Sequence, residues 1–95
     1  MKTFFMFGKY TAEAIREMSV ERTQQVISEI KKLGGEVTAM NALLGEYDLL
    51  FCVALPDIED AIKASVALNK LTGISFTTSP AVTVETFDEL MSNSG

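Results

Sequence analysis

Apolar and polar positions change their period several times along the chain, and each change marks an element. Residues 2 to 10 alternate as a strand rich in aromatic side chains, with Phe5 and Phe7 on one face and Phe4 and Met6 on the other. Gly8-Lys9-Tyr10-Thr11 bounds it. Thr11 is placed to cap a short helical segment carrying Ile15 and Met18. Ser19 is placed to cap a longer helix, in which Thr23, Val26, Ile27, Ile30 and Leu33 form an apolar stripe at helical spacing. The opposite face, which includes Glu21, Arg22, Gln24 and Glu29, is polar. Lys31 and Lys32 near the end of that helix complement its dipole, and Gly34-Gly35 stops it.

Residues 36 to 44 predict a second strand, with Val37, Ala39 and Leu43 on one face and Met40 and Leu44 on the other. Gly45-Glu46-Tyr47-Asp48 then supplies a hairpin turn, in which Gly45 takes a conformation closed to side chains and Asp48 bonds its own backbone. A third strand over about 47 to 55 sets Tyr47, Leu49, Phe51 and Val53 on one face and Leu50, Cys52 and Ala54 on the other. A strand apolar on both faces belongs in the middle of a sheet covered on both sides. Pro56 ends it, and Asp57 caps a helix whose expected stripe is Ile58, Ala61, Ile62, Ser65, Leu68 and Leu71, with exit signals at Asn69 and Gly73. Ile74 to Pro80 predict a fourth strand, Ile74 and Phe76 facing one way and Ser75, Thr77 and Ser79 the other. Thr86-Phe87-Asp88-Glu89 has capping-box spacing and opens a short terminal helix to about Met91, with Ser92 to Gly95 expected to fray.

The resulting order, β-α-β-β-α-β, defines a single α+β domain over residues 1 to 95: a ferredoxin-like sandwich of a four-stranded antiparallel sheet with both long helices on one face. Helices on one face leave strands one and three with an apolar second face. Such a patch exceeds the few hundred Å² that soluble monomers usually expose. A second copy placed face to face covers it, so the expected partner is the chain itself, as a homodimer through the sheet or a higher oligomer.

Composition narrows the chemistry. The net charge of −5, with only 8 Lys and Arg, gives no basic footprint for nucleic acid or an anionic membrane. The apolar runs fall short of the ~20 residues of a membrane helix. The run from Lys2 to Phe7 has the flavour of a signal peptide but stops at Gly8-Lys9-Tyr10. A lone Cys52 forms no internal disulfide, which fits a cytoplasmic protein, and its apolar strand marks it as inert core. There is no His, so imidazole ligation of haem and Ser-His-Asp or Cys-His catalysis are excluded; one Cys with scattered acids has no zinc spacing. No cofactor or metal is expected.

The polar residues that remain cluster at turns. Lys9, Tyr10, Glu46, Tyr47 and Asp48, with Arg22 near the start of the long helix, are the candidate ligand-binding set. Lys9 and Arg22, if brought together, would hold a small carboxylate or phosphate by charge-assisted hydrogen bonds. The plainer reading gives Glu46 and Asp48 ordinary turn roles, makes Tyr47 a half-buried ring, and leaves Lys9 and Arg22 solvated or paired.

Gly8-Lys9-Tyr10-Thr11, Gly34-Gly35 and Gly45-Glu46-Tyr47-Asp48 together resemble, in order and spacing, the GYD domain family over nearly the whole chain. Here Gly-Glu-Tyr-Asp stands where the family name has Gly-Tyr-Asp. The resemblance implies a small, mainly prokaryotic protein of the dimeric α+β barrel group. It says little about activity, since that fold group includes haem-degrading and quinol-forming monooxygenases, chlorite dismutase-like proteins and ligand-sensing regulatory domains. Three readings therefore stand at the level of sequence. The first is a dimeric small-ligand-binding or regulatory module, the second a cofactor-independent oxygenase or isomerase with Glu46 or Asp48 as base, and the third an assembly or accessory protein.

Overall fold

Two strands that are apolar on both faces lie side by side at the centre of the sheet in a computed structural model, which describes residues 1–93. The chain runs β1 (Lys2–Lys9), α1 (Ala12–Arg16), α2 (Val20–Lys32), β2 (Glu36–Ala42), β3 (Leu49–Leu55), α3 (Ile58–Thr72), β4 (Ser75–Ala81) and α4 (Val84–Asn93). The strands pair antiparallel in the order β2-β3-β1-β4, the ferredoxin-like arrangement, with β1 and β3 in the middle. Phe4 and Met6 of β1, Phe51, Val53 and Leu55 of β3, Val26 and Ile30 of α2 and Leu68 of α3 form one buried core between sheet and helices.

The helix starts follow from side-chain caps. Thr11 Oγ1 accepts the Ala14 N–H at 2.9 Å and Ser19 Oγ accepts the Arg22 N–H at 3.1 Å, each satisfying a donor that the first turn leaves open. In α1 the buried side chain is Ala14; Ile15 is exposed and Met18 lies beyond the helix. In α2 the apolar stripe seats Val26 and Ile30, while Thr23 stays outside. Asp57 caps α3 in a capping box with Asp60.

Three elements depart from the sequence expectation. In α3 the inward residues are Ala61, Ala64, Leu68 and Thr72, whereas Ile58, Ile62 and Leu71 are 50%, 59% and 41% exposed. Small alanines at the contact let the helix lie close to the sheet, which turns the bulkier residues outward. In β2 the register shifts between Val37 and Ala39: Val37 opposes Val53 and Ala39 opposes Cys52, so Thr38 is an extra residue. Its hydroxyl donates to the Cys52 carbonyl at 2.9 Å. The bulge reverses the alternation, so Val37 and Met40, not Val37 and Ala39, pack on the core. Leu43 and Leu44 lie past the strand end and are exposed. At the C-terminal end α4 starts earlier than the Thr86 spacing suggests. Thr83 Oγ1 accepts the Thr86 N–H at 3.0 Å and takes the capping position. The helix continues through Asn93, and residues 94–95 lie outside the described residues.

The sheet's second face carries Phe5, Phe7, Leu50, Cys52 and Ala54, all half-buried, and none of them belongs to the core packed beneath the helices. Cys52 therefore sits on this open face rather than in the core. Residues 82–92, which include most of α4, are exposed, with Val84, Phe87 and Leu90 among them. Among the described residues no helix is long and apolar enough to cross a membrane.

Candidate functional site

The first turn of α2 and the ends of β1, β2 and β3 enclose an open-mouthed cavity of about 410 Å³. Its wall is largely apolar, formed by Val26, Met40, Phe51 and Ile74 among others. The core is left incomplete here because β1 ends at Lys9 and the chain turns away into α1. Gly8, the last buried residue of β1, is overlain by Phe76: a Cβ there would lie 3.0 Å from the Phe76 ring and 3.1 Å from Ile74 Cγ2.

Arg22 is the single ionised side chain in that wall. The Ser19 cap fixes the start of α2 and so places Arg22 in its first turn. The guanidinium reaches back across the bend between the helices, and Nη1 donates to the Ala14 carbonyl at 2.9 Å. Its Nε and Nη2 are buried and have no hydrogen-bond partner among the described residues. An unsatisfied buried donor of this kind costs about 1–3 kcal/mol, more when charged.

Tyr10 lines the same cavity. Burial is the main cause that pushes its hydroxyl pKa above the ordinary tyrosine value; the Asp48 carboxylate adds to the rise and the Arg22 charge opposes it. Asp48 stands behind Tyr10. Its Oδ2 accepts the Tyr10 N–H at 2.9 Å, and its own N–H donates to the Gly8 carbonyl at 2.9 Å. The expected bond from Asp48 to its own turn is thus replaced by a bond to the end of β1. The turn itself is longer than the four residues Gly45 to Asp48: Leu43 N–H donates to the Asp48 carbonyl at 2.8 Å, closing a loop over residues 43–48. Gly45 within it has φ +155°, a conformation that side chains rarely adopt.

A sequence profile for the GYD domain matches residues 4–91. The chain belongs to the GYD domain family. No curated protein matches it in sequence. Among solved structures, this GYD domain is similar to the leucine response regulatory protein of Mycobacterium tuberculosis, with a TM-score of 0.58 at 7% identity. The likeness covers 86% of this chain and 51% of that one, so the GYD domain spans about half the length of the regulator. At that identity the likeness is one of fold, and it agrees with the ferredoxin-like topology.

Of the candidate residues chosen from the sequence of this GYD domain, the fold brings Tyr10 and Arg22 to the cavity. Lys9 is exposed at the end of β1 and does not line the cavity with Arg22, because adjacent strand residues point to opposite faces. Glu46 is exposed in the loop. Tyr47 precedes β3 and packs its ring on Phe7, centroids 5.1 Å apart, on the open face and away from the cavity. Met18 and Asn41 also line the cavity. The sequence marked Met18 only as an apolar residue of the short segment after Thr11, and gave no signal at Asn41, where the phase of the strand depends on the bulge. Among the described residues no group of His, Cys, Asp or Glu is placed to hold a metal ion.

Proposed function

We propose that this GYD domain is a small-ligand-binding regulatory module that works as a homodimer. The observation that carries the reading is the cavity of about 410 Å³ lined by Arg22, whose Nε and Nη2 have no partner among the described residues. Apolar walls with a few fixed polar groups are the usual make-up of a small-molecule site, and the volume lies within the range such sites occupy. The structural neighbour is, by its title, a leucine response regulatory protein, and a ligand-responsive role for this fold is consistent with that. The homodimer reading rests on the open sheet face, where Phe5, Phe7 and Leu50 form an apolar surface that a second copy would cover.

An oxygenase or isomerase would need a base in contact with its substrate. Glu46 is exposed in the loop, the Asp48 carboxylate is engaged by the Tyr10 N–H, and neither lines the cavity. The geometry therefore favours binding over catalysis. Native mass spectrometry of freshly purified protein tests the proposal. A dimer that retains a small molecule is the expected result. A bare 10.4 kDa chain that also gains no thermal stability from a metabolite library would overturn it.

A further inference from the structure

Arg22 does more than supply a positive charge, because its hydrogen bonds select one edge of the guanidinium. Nη1 is held by the Ala14 carbonyl at 2.9 Å, while Nε and Nη2 are buried without partners among the described residues. In a planar guanidinium the Nε–H and the neighbouring Nη2–H run parallel and form a two-pronged donor edge. That edge matches the two oxygens of a carboxylate, and the bidentate pair is among the stronger and more directional of polar contacts. The bond to Ala14 holds the guanidinium, and because Nε and Nη2 are closed to solvent, side chains of the cavity wall must shift to admit the ligand.

The surroundings set the rest of the ligand. Among the described residues Arg22 is the single ionised group lining the cavity, and Lys9 at the end of β1 does not line it. One cation in a cavity of largely apolar wall balances one negative charge, and a dianion would leave an uncompensated charge beside Val26, Met40 and Phe51. The chain's net charge of −5 adds a long-range penalty for polyanions.

On the reading that the cavity is a ligand site, we infer that it takes a small monocarboxylate. The carboxylate pairs with the Nε/Nη2 edge of Arg22 and the apolar body lies against Val26, Met40, Phe51 and Ile74.

The test is calorimetric titration of the full chain with butyrate, isovalerate, octanoate and phenylacetate, each beside its primary amide, and with inorganic phosphate. At least one acid is expected to bind roughly tenfold or more tightly than its amide, the difference a charged hydrogen-bonded contact makes. Arg22→Gln is expected to abolish that preference, and Arg22→Lys to restore only part of it, since an ammonium lacks the fork. The comparison of acid with amide on the unaltered protein stands even if a variant folds poorly. Equal binding of acids and amides would overturn the carboxylate assignment while leaving the cavity as a ligand site. Phosphate binding as tightly as the best acid would overturn the monoanion. Binding of no acid and no amide would overturn this inference, and the ligand-site reading beneath it would fall only if the metabolite library also gave no thermal stabilisation.

Discussion

The carboxylate of Asp48 accepts the backbone N–H of Tyr10 at 2.9 Å, across 38 positions of sequence. With the Asp48 N–H on the Gly8 carbonyl, the two stretches Gly8-Lys9-Tyr10 and Gly45-Glu46-Tyr47-Asp48 form one clamp. The clamp holds the point where β1 stops pairing and the chain turns toward the cavity. Asp48→Ala leaves a partly buried N–H without its partner and is expected to lower stability by about 1–3 kcal/mol. Asp48→Asn keeps an acceptor and is expected to lose less. Urea unfolding of the two variants measures the difference.

The loop makes a separate demand at Gly45. No atom lies within 4 Å of where a Cβ would stand, so crowding is no obstacle; the φ of +155° is. Gly45→Ala is expected to lower stability by about 1–3 kcal/mol, the range for a residue held in a sparsely populated backbone region. A melting temperature unchanged by the substitution would contradict that account.

Stability at the pH extremes is expected to follow Lys2, Asp57 and Tyr10. Lys2 Nζ lies 2.8 Å from Asp57 Oδ1 on the surface. The bond from Lys2, followed by that from the Ile58 N–H, lowers the Asp57 pKa below 3.8. That contribution is present above the ordinary carboxylate value and is lost as pH falls through the lowered one. Lys2 is raised above 10.5, chiefly by its bond to Asp57, so its contribution is present below that value and lost as pH rises through the raised one. Tyr10, raised above 10.0 mainly by burial, acts in the same alkaline direction. Lys2→Met should therefore flatten the acid limb of a stability–pH profile, and added salt should do so in the parent, because the pair is exposed. Tyr10→Phe should extend stability further into alkali.

The open sheet face gives a test of assembly. Leu50 pairs with Phe7 on it, and Leu50→Glu would set a charge in the proposed dimer contact. Light scattering is expected to show the parent as a dimer and the variant as a 10.4 kDa monomer with unchanged helical circular dichroism. A monomeric parent at micromolar concentration would overturn the homodimer.

Much of this architecture was legible because it depends on local pattern. The caps Thr11, Ser19 and Asp57, the stripe Val26–Ile30 and the doubly apolar β1 and β3 could all be read from spacing. What escaped depends on contacts distant in sequence. The inward face of α3 is set by how near Ala61 and Ala64 can come to the sheet, and hydrophobicity alone favours Ile58 and Ile62. The phase of β2 turns on one bulged threonine. The site was half legible: Tyr10 and Arg22 were singled out as polar residues near element ends, yet nothing local indicated that Arg22 would meet Ala14 rather than Lys9. Tyr47 sat beside β3 in sequence but is claimed by Phe7 on the other face.

The bulge at Thr38 makes β2 a jointed strand. Val37, before the joint, packs on the core opposite Val53, while Met40, Asn41 and Ala42, after it, form part of the cavity rim. β2 is also an edge strand, hydrogen-bonded to β3 alone. Chain length can change at this joint without disturbing the central pair, and each added or removed residue re-phases the rim by one step. Within such a lineage, the shape of the cavity rim can diversify by single-residue insertion and deletion at an outer strand, with the clamp left untouched.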